Sequence, residues 1–196
     1  MGRRKNTILT LTNRENKMFQ GMSKFHKITA DVAYQNLGIN QKRLDRLEKE
    51  GYIERHTSLT EKTVYYTLTS QAKDYVKKNN DNVEHFYKGT SLKHDIEIAK
   101  FYFNLKPEQQ DLAMTDMDTK REFCFVSEGG LPDMYIPKMK ITIDNEVIET
   151  PNIAFEVITD SYSIAKIEEK AIYVQTLRTI LKEEIVYEQV DTRQRH

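Results

Sequence analysis

Two carboxylate side chains in the second half of the chain lie among apolar residues. Asp133 follows Pro132 and opens a predicted strand, and Glu156 lies inside the strand pattern of residues 154–158. A buried strand rarely holds a carboxylate without a compensating partner. These two residues are therefore a constellation that could carry chemistry. The alternative is that Asp133 caps a turn and that Glu156 is a satisfied structural carboxylate.

The order of charged residues around the two acids resembles the PD-(D/E)xK nuclease fold. In that fold a helix with a glutamate precedes a strand with Pro-Asp, and a later strand holds Glu-x-Lys. The matching residues are Glu97, Asp133 and Glu156, and Lys166 and Lys170 follow on a predicted helix. The resemblance implies that the two carboxylates hold a divalent cation and that a lysine positions or activates the attacking water.

One position departs from that pattern, because Ile158 occupies the place of the lysine in Glu-x-Lys. An aliphatic side chain cannot orient a water molecule. Lys170 could supply the lysine from the helix, as in some branches of that superfamily, but the spacing does not establish this. We therefore expect no DNA cleavage, with no metal, no cofactor and no catalytic residue, and the site is either structural or a relic of the nuclease pattern. The relic set is Glu97, Asp133, Glu156 and Lys170.

The elements that must position these residues form a mixed α/β domain in residues 93–190, after a connecting segment of residues 81–92. A first helix ends before Pro107, and strands are predicted at residues 112–115, 123–126, 134–136, 140–143, 153–158 and 185–187. A long helix that starts at Ser163 has a stripe of apolar residues: Ile164, Ile167, Ala171, Val174, Leu177 and Leu181. We expect the protein to form a homodimer through this helix, with core packing as the alternative, and we expect residues 191–196 to be a mobile tail.

Residues 1–80 show a different pattern, of short helices followed by a hairpin. Three helices are predicted in succession, and Gly38 and Gly51 end the second and third. Strands at residues 52–55 and 64–68 enclose a polar hairpin, and a fourth helix follows. Each helix begins at a residue whose side chain can cap it: Thr12, which forms a capping box with Glu15, then Thr29, Asn40 and Thr69.

This first segment resembles winged helix-turn-helix transcription regulators. The resemblance rests on residues 44–53, which combine a leucine-rich helix, a glycine and Tyr-Ile, and on Tyr66-Thr67-Leu68-Thr69 after the hairpin. It implies that the third helix enters the major groove of double-stranded DNA and that the hairpin is the wing. The expected overall class is therefore α+β or α/β, with an N-terminal winged helix and a C-terminal domain of degenerate nuclease type.

The helical period predicts which side chains meet DNA. With Leu44 and Leu47 inward, the outer face can offer Arg46 or Arg43 to guanine, and other side chains to adenine or cytosine. The expected DNA-binding residues are Gln41, Lys42, Arg43, Asp45, Arg46 and Lys49 on the helix, Arg55, His56 and Lys62 on the wing, and Arg3, Arg4 and Lys5 in a neighbouring minor groove. Among these, Gln41 would read adenine, Asp45 would accept from cytosine, and Lys42 and Lys49 would reach phosphates.

The whole order of elements resembles the replication-relaxation family of plasmid, phage and conjugative-element proteins. Those proteins pair a winged helix with a reduced nuclease-like domain. The residues that carry the resemblance are His94-Asp95, Pro132-Asp133, Phe155-Glu156-Val157 and the helix with Lys170 and Tyr173. The resemblance implies a function in the regulation or maintenance of a mobile genetic element.

The distribution of charge agrees with a basic DNA-binding half that is followed by an acidic half. The net charge is zero, but residues 1–80 hold 16 Lys/Arg and 8 Asp/Glu, whereas residues 81–196 hold 14 and 22. A basic segment is attracted to phosphate through counterion release. The single cysteine, Cys124, and the absence of an apolar run of membrane length favour a cytoplasmic protein with no membrane partner.

These observations predict a sequence-specific double-stranded DNA-binding protein that regulates transcription or maintains replication of a mobile element. Two other functions remain open. One is a metal-dependent nuclease or relaxation accessory, and the other is a segregation adaptor that links DNA to a filament-forming protein. A replication or segregation protein is therefore a possible partner besides DNA.

Overall fold

The computed structural model describes residues 10–80, 83, 85–89, 91–123, 130–143 and 146–193. Over these residues the protein is a mixed α+β structure with eight helices and nine strands. Predictions that involve Arg3, Arg4, Lys5 and Cys124 lie outside the described residues, as do residues 194–196 of the predicted tail.

The N-terminal half contains four helices and a three-stranded sheet. In chain order the elements are α1 (Asn13–Phe25), β1 (Ile28–Thr29), α2 (Ala30–Leu37), α3 (Gln41–Lys49), β2 (Ile53–Ser58), β3 (Thr63–Leu68) and α4 (Ser70–Asn79). The sheet has the order β1-β3-β2, and both pairings are antiparallel. Strands β2 and β3 therefore form a hairpin that follows α3 directly.

The predicted helix ends are confirmed at single residues. Thr12 and Glu15 form the capping box of α1, and the side chain of Asn40 accepts a hydrogen bond from the backbone N–H of Arg43 at the start of α3. Gly38 ends α2 with φ 64° and Gly51 follows α3 with φ 80°, both in the left-handed region that glycine adopts without strain. These local signals fix the short connection between α2 and α3.

The C-terminal half is a layer of helices on a four-stranded sheet, with a separate hairpin. Its elements are α5 (Leu92–Asn104), α6 (Pro107–Leu112), β4 (Met114–Thr115), α7 (Asp116–Phe123), β5 (Met134–Ile136), β6 (Met139–Ile143), β7 (Glu146–Thr150), β8 (Asn152–Ile158), α8 (Ile164–Leu181) and β9 (Ile185–Asp191). The sheet order is β4-β5-β8-β9, with antiparallel pairings except for β8 and β9, which are parallel and joined through α8. Strands β6 and β7 pair only with each other among the described residues.

Two predicted strands of this half are corrected. Leu112 ends α6, so only residues 114–115 of the predicted strand 112–115 belong to a strand. Phe123 ends α7 rather than opening a strand, and residues 124–126 lie outside the described residues. The charged run Asp116–Arg121 is helical because Asp118 caps it: the Asp118 carboxylate accepts hydrogen bonds from the backbone N–H and the hydroxyl of Thr115, each at 3.0 Å.

One hydrophobic core joins the two halves, although α4 ends close to the predicted domain boundary at residue 80. Phe25 at the end of α1 lies edge-on to Tyr102 and Phe103 of α5, with ring centroids 5.8 and 5.4 Å apart. The same buried cluster continues to Phe155 on β8, whose ring stacks on Phe101 at 3.8 Å. The two halves therefore share apolar surface that neither could bury alone.

The buried face of α8 differs from the predicted stripe. Val174 and Leu177 are buried as expected, but Ile164 is 73% exposed and Ala171 is also exposed. Their places on the buried face are taken by Lys170 and Tyr173. The dimerisation prediction is not tested by this arrangement.

The last strand of the described residues extends beyond the predicted residues 185–187. Asp191 belongs to β9, and the backbone N–H of Thr192 donates to the carbonyl of Ile158 at 2.9 Å. Over the described residues, none of the helices combines the length and apolar character needed to cross a membrane.

Candidate functional site

The outer face of α3 is a basic, exposed surface beside the β2–β3 hairpin. Leu44 and Leu47 are fully buried, which turns the opposite side of the helix to solvent. We use the term basic helix face for the exposed residues of α3 on that side, which are Gln41, Lys42, Asp45, Arg46 and Lys49. Three of these five residues are cations, so the face is suited to a phosphate-rich partner.

Two polar members of this face have partners within the protein. The Gln41 amide donates to the Asp45 carboxylate and to the Tyr66 hydroxyl, each at 2.7 Å. Arg55 on β2 approaches Asp45 at 4.0 Å. These contacts link α3 to the hairpin and hold Gln41 and Asp45 in defined positions at the surface.

Arg43 has a structural role that the sequence did not predict. Its guanidinium pairs with the buried carboxylate of Glu15 and donates to the carbonyl of Thr10 at 3.0 Å. Burial would raise the pKa of Glu15, but hydrogen bonds from Arg43 and Thr12 outweigh it and lower that pKa. Of the two arginines proposed to read guanine, Arg46 is therefore the more exposed one, and Arg43 is tied to α1.

The predicted wing residues lie on the β2–β3 hairpin. Arg55 is exposed, and the His56 ring stacks on Tyr65 with centroids 5.1 Å apart. Lys62 is exposed at the turn between the strands, with a φ of 48°. The hairpin thus presents cationic side chains next to the basic helix face.

A broad recess of about 690 Å³ lies between the start of α1 and the α2–α3 connection. Its cationic lining residues are Arg14, Lys42, Arg43 and Arg46. The recess extends the positive surface of the basic helix face towards α1.

A second candidate site lies at the end of the C-terminal sheet. The antiparallel register of β5 and β8 pairs Met134 with Phe155, so the preceding Asp133 comes opposite Glu156. The backbone N–H of Asp133 donates to Glu156 Oε2 at 3.2 Å, and the N–H of Val157 donates to Asp133 Oδ2 at 2.8 Å. Strand pairing alone therefore brings together the two acids that the sequence singled out, and both are buried.

Lys170 completes this pair from α8. Its ammonium nitrogen lies 2.7 Å from Glu156 Oε1 and 3.9 Å from Asp133 Oδ1, and it donates to the carbonyl of Leu131 at 2.6 Å. The Tyr162 hydroxyl donates to Glu156 at 2.8 Å. Lys170 on α8 thus lies beside the two acids, although Ile158 occupies the sequence position of the lysine in the nuclease pattern. We call Asp133, Glu156 and Lys170, together with His94, the carboxylate cluster.

His94 connects this cluster to a buried carboxylate of α5. His94 Nε2 lies 3.0 Å from Asp133 Oδ2, and its Nδ1 lies 3.5 Å from Asp95 Oδ1. Burial would lower the pKa of His94, but its hydrogen bonds and charge interactions with Asp133 and Asp95 outweigh burial and raise the pKa to about 9. His94 is therefore a cation near neutral pH.

Asp95 is completely buried and reaches the N-terminal half. The ammonium of Lys27, between α1 and β1, lies 2.9 Å from Asp95 Oδ2 and donates to the carbonyl of Gly89 at 2.7 Å. His26, which ends α1 with φ 73°, lies 3.7 Å from the same carboxylate. A Cβ atom at Gly89 would lie only 1.8 Å from Asp95 Oδ1, so glycine is required for this close approach.

Glu97, the helix glutamate of the sequence prediction, does not join the carboxylate cluster. It pairs with Lys100 one turn along α5, at 2.7 Å, on a partly exposed face. Asp95 and His94 face the sheet instead, because the buried side of α5 is formed by His94, Asp95, Ile98, Ala99 and Tyr102. The helix thus places His94 and Asp95, rather than Glu97, against the sheet, and the motif His94-Asp95 was the signal that could have identified this face.

A cavity of about 340 Å³ opens beside the carboxylate cluster. Its lining is polar and includes Tyr87, Ser91, His94, Asp116, Asp133, Thr159, Ser161, Tyr162, Lys166 and Lys170. Burial and then the charge of Asp133 raise the pKa of Glu156 to about 7, although Lys170 and Tyr162 act in the opposite direction. A pKa shifted this far indicates a carboxyl group whose charge is only partly compensated.

The divalent cation implied by the nuclease resemblance does not fit this arrangement. A cation between Asp133 and Glu156 would need oxygen ligands at about 2.0–2.6 Å. The ammonium of Lys170 already takes the contacts to Glu156 and Leu131. Among the described residues there is no group of three or more histidine, cysteine or acidic side chains placed to hold a metal ion.

Comparison with known protein families, curated proteins and solved structures finds no match to this chain.

Proposed function

We propose that the chain is a sequence-specific double-stranded DNA-binding protein and that residues 10–80 act as its winged helix-turn-helix unit. The observation that carries this proposal is the basic helix face, in which Lys42, Arg46 and Lys49 are exposed opposite the buried Leu44 and Leu47. An amphipathic second helix after a tight glycine turn is the element that helix-turn-helix proteins insert into the major groove.

The neighbouring elements support the same docking geometry. The β2–β3 hairpin follows α3 and carries Arg55 and Lys62 at its surface, where a wing would meet the sugar-phosphate backbone. The cationic recess towards Arg14 adds further positive charge on one side of α3. A transcription regulator or a replication or maintenance factor of a mobile element would use this surface in the same way.

The side chains of α3 divide into two classes by position. Arg46 lies in the middle of the exposed face, where a planar guanidinium can form two parallel hydrogen bonds with guanine. Lys49 lies at the C-terminal end of α3, where a single ammonium reaches a phosphate. Arg43 contributes to DNA binding chiefly by holding α3 against α1 through Glu15.

This division predicts different effects for two substitutions in the full chain. Arg46→Ala should cost about 1–3 kcal/mol of binding free energy at the preferred site and relax the preference at one base pair. Lys49→Ala should weaken binding to all sequences alike. Lys140→Ala, an equal loss of charge on the β6–β7 hairpin, is the control and should leave binding unchanged. Selection from a randomised duplex library, followed by anisotropy measurements, compares the three variants.

Identical base preferences in the Arg46 and Lys49 variants would show that neither side chain reads sequence. A loss of affinity in the Lys140 variant as large as in the other two would mean that overall charge, rather than the basic helix face, determines binding.

A second candidate function, metal-dependent DNA cleavage, is favoured by one observation. Lys170 lies within hydrogen-bonding distance of Glu156 and near Asp133, so the three residue types of the nuclease pattern lie together, beside a cavity that Asp133 and Lys170 line. We prefer DNA binding without cleavage, because the ammonium stands in the position that the cation needs. The experiment in the next section separates the two functions.

A further inference from the structure

The ammonium of Lys170 is surrounded by oxygen atoms in the manner of a bound cation. It contacts both oxygens of Glu156, at 2.7 and 2.9 Å, and the carbonyl of Leu131 at 2.6 Å. Asp133 Oδ1 lies at 3.9 Å. These oxygens are a carbonyl and two carboxylates, which is the ligand chemistry that hard divalent cations take in proteins.

A second cation could not share this position with Lys170. Both acids and the lysine side chain are buried, so water screens little of the repulsion between two positive charges. A metal ion at ligand distance from Glu156 would require the ammonium to leave, and its four-carbon stem is packed inside the protein at 6% exposure. Leaving would also remove the hydrogen bond to Leu131, whose carbonyl lies in the same buried region.

The ion pairs of the buried network favour the position of Lys170 beside Glu156. The buried network contains the carboxylates of Asp95, Asp133 and Glu156, and its cations are Lys27, His94 and Lys170. Each acid has at least one cation within hydrogen-bonding or ion-pair distance. A divalent cation added beside Lys170 would bring two cationic centres to the same carboxylate oxygens of Glu156, which are buried, so that their repulsion is little screened.

We propose that Lys170 takes the place of a divalent cation at Asp133 and Glu156, so that the protein binds no divalent metal there. The cluster then joins α8 to the sheet and, through His94 and Asp95, to Lys27 of the N-terminal half. This inference goes beyond DNA binding and does not depend on it.

The proposal is tested by titrating the full chain with Mn²⁺ and measuring free Mn²⁺ by electron paramagnetic resonance. The wild-type protein should bind no Mn²⁺ in a manner that depends on Glu156. Lys170→Met, which removes the charge with an unbranched side chain one atom shorter, should gain Glu156-dependent Mn²⁺ binding that is at least about a hundredfold tighter than any residual binding to the wild type. That gain should disappear when Glu156→Gln is added, and Lys166→Met, on the same helix at the rim of the cavity, should behave as wild type.

Wild-type binding that is lost in Glu156→Gln would overturn the proposal, whatever the variants of Lys170 do. If Lys170→Met does not fold, Lys170→Gln keeps a hydrogen-bond donor for Leu131 and replaces it in the titration. Folded variants of Lys170 that gain no Mn²⁺ affinity would also contradict the proposal, because the oxygen atoms would then not form a cation site.

Incubation with duplex DNA gives an independent readout on the same samples. Wild-type protein with Mg²⁺ or Mn²⁺ should leave the DNA intact. Cleavage that disappears in Asp133→Ala, Glu156→Ala and Lys170→Ala would show that Lys170 works beside a metal ion rather than in its place. Loss of DNA binding by the basic helix face would not change the outcome of the Mn²⁺ titration, so the two proposals fail separately.

Discussion

Asp95→Ala is expected to lower the free energy of unfolding by about 3–5 kcal/mol, because it removes one partner from a buried charge network. Asp95 is completely buried and lies 2.9 Å from the ammonium of Lys27. Without that carboxylate, the buried charge of Lys27 loses its counter-ion, and His94 loses one of its two acidic neighbours. Urea denaturation of the full chain measures the change through the midpoint at a constant slope.

Glu97→Ala is the matched control, two residues further along the same helix. Glu97 pairs with Lys100 at a partly exposed position, and such surface pairs contribute about 0–1 kcal/mol. A loss in the Asp95 variant no larger than in the Glu97 variant would mean that the network between the two halves contributes little to stability. Asp95→Asn keeps the shape of the side chain and should lie between the two.

The stability of the protein should also decrease as the pH rises from about 6.5 to 9. The folded-state pKa of His94 is about 9, above the ordinary value of 6.5, so the folded protein holds a proton that the unfolded chain releases. The stabilisation is fully present below pH 6.5 and is lost as the pH passes through the folded-state pKa. A shift of this size corresponds to about 3 kcal/mol.

His94→Gln should remove most of this pH dependence, whereas His85→Gln, at an exposed histidine, should keep it. The free energy of unfolding is measured by urea denaturation at several pH values for the three proteins. The pKa of Glu156 is raised to about 7, so this residue adds a further decrease of stability as the pH rises from about 4.5 to 7. The contributions of Glu156 and His94 therefore occupy adjacent pH ranges. Parallel curves for the wild type and the His94 variant would contradict the assignment of the charge to His94.

Helix ends were predictable from the sequence because they depend on local hydrogen bonds. Local hydrogen bonds of Thr12 and Asn40 begin α1 and α3, and the left-handed conformation of Gly38 ends α2. The types of these three residues indicate their roles directly. The burial of Leu44 and Leu47 follows in the same way from the period of the helix. The pairing of Asp133 with Glu156 was predictable in outline, because both acids interrupt strand patterns.

The ion pairs between distant segments were not predictable from local patterns. Lys27 and Asp95 are 68 residues apart, and in a hydrophobicity pattern each reads as an exposed polar residue. Lys170 was considered as a substitute for the missing lysine, but a buried lysine on an otherwise apolar helix face cannot be told from a solvated one by spacing. The predicted stripe on α8 failed for the same reason, since isoleucine and alanine occur on several faces of that helix.

The apolar contact between the two halves could also not be predicted from the sequence. The charge difference between residues 1–80 and the remainder suggests two functions, but it does not indicate that Phe25 and Tyr102 share one core. Charge reports on partners and solubility, whereas apolar burial decides which segments fold together. Experiments on DNA binding therefore need the full chain.

The affinity of the full chain for duplex DNA as a function of salt concentration tests the central claim most directly. The basic helix face, the β2–β3 hairpin and the recess near Arg14 together suit about four to seven phosphate contacts, so log K should fall with log[salt] with a slope of about −4 to −6 per monomer. A variant with Lys42, Arg46 and Lys49 changed to glutamate should lose this binding while it remains folded, because all three side chains are exposed. Absence of DNA affinity in the wild-type protein at low salt, or equal affinity in that variant, would contradict the assignment of this surface to DNA.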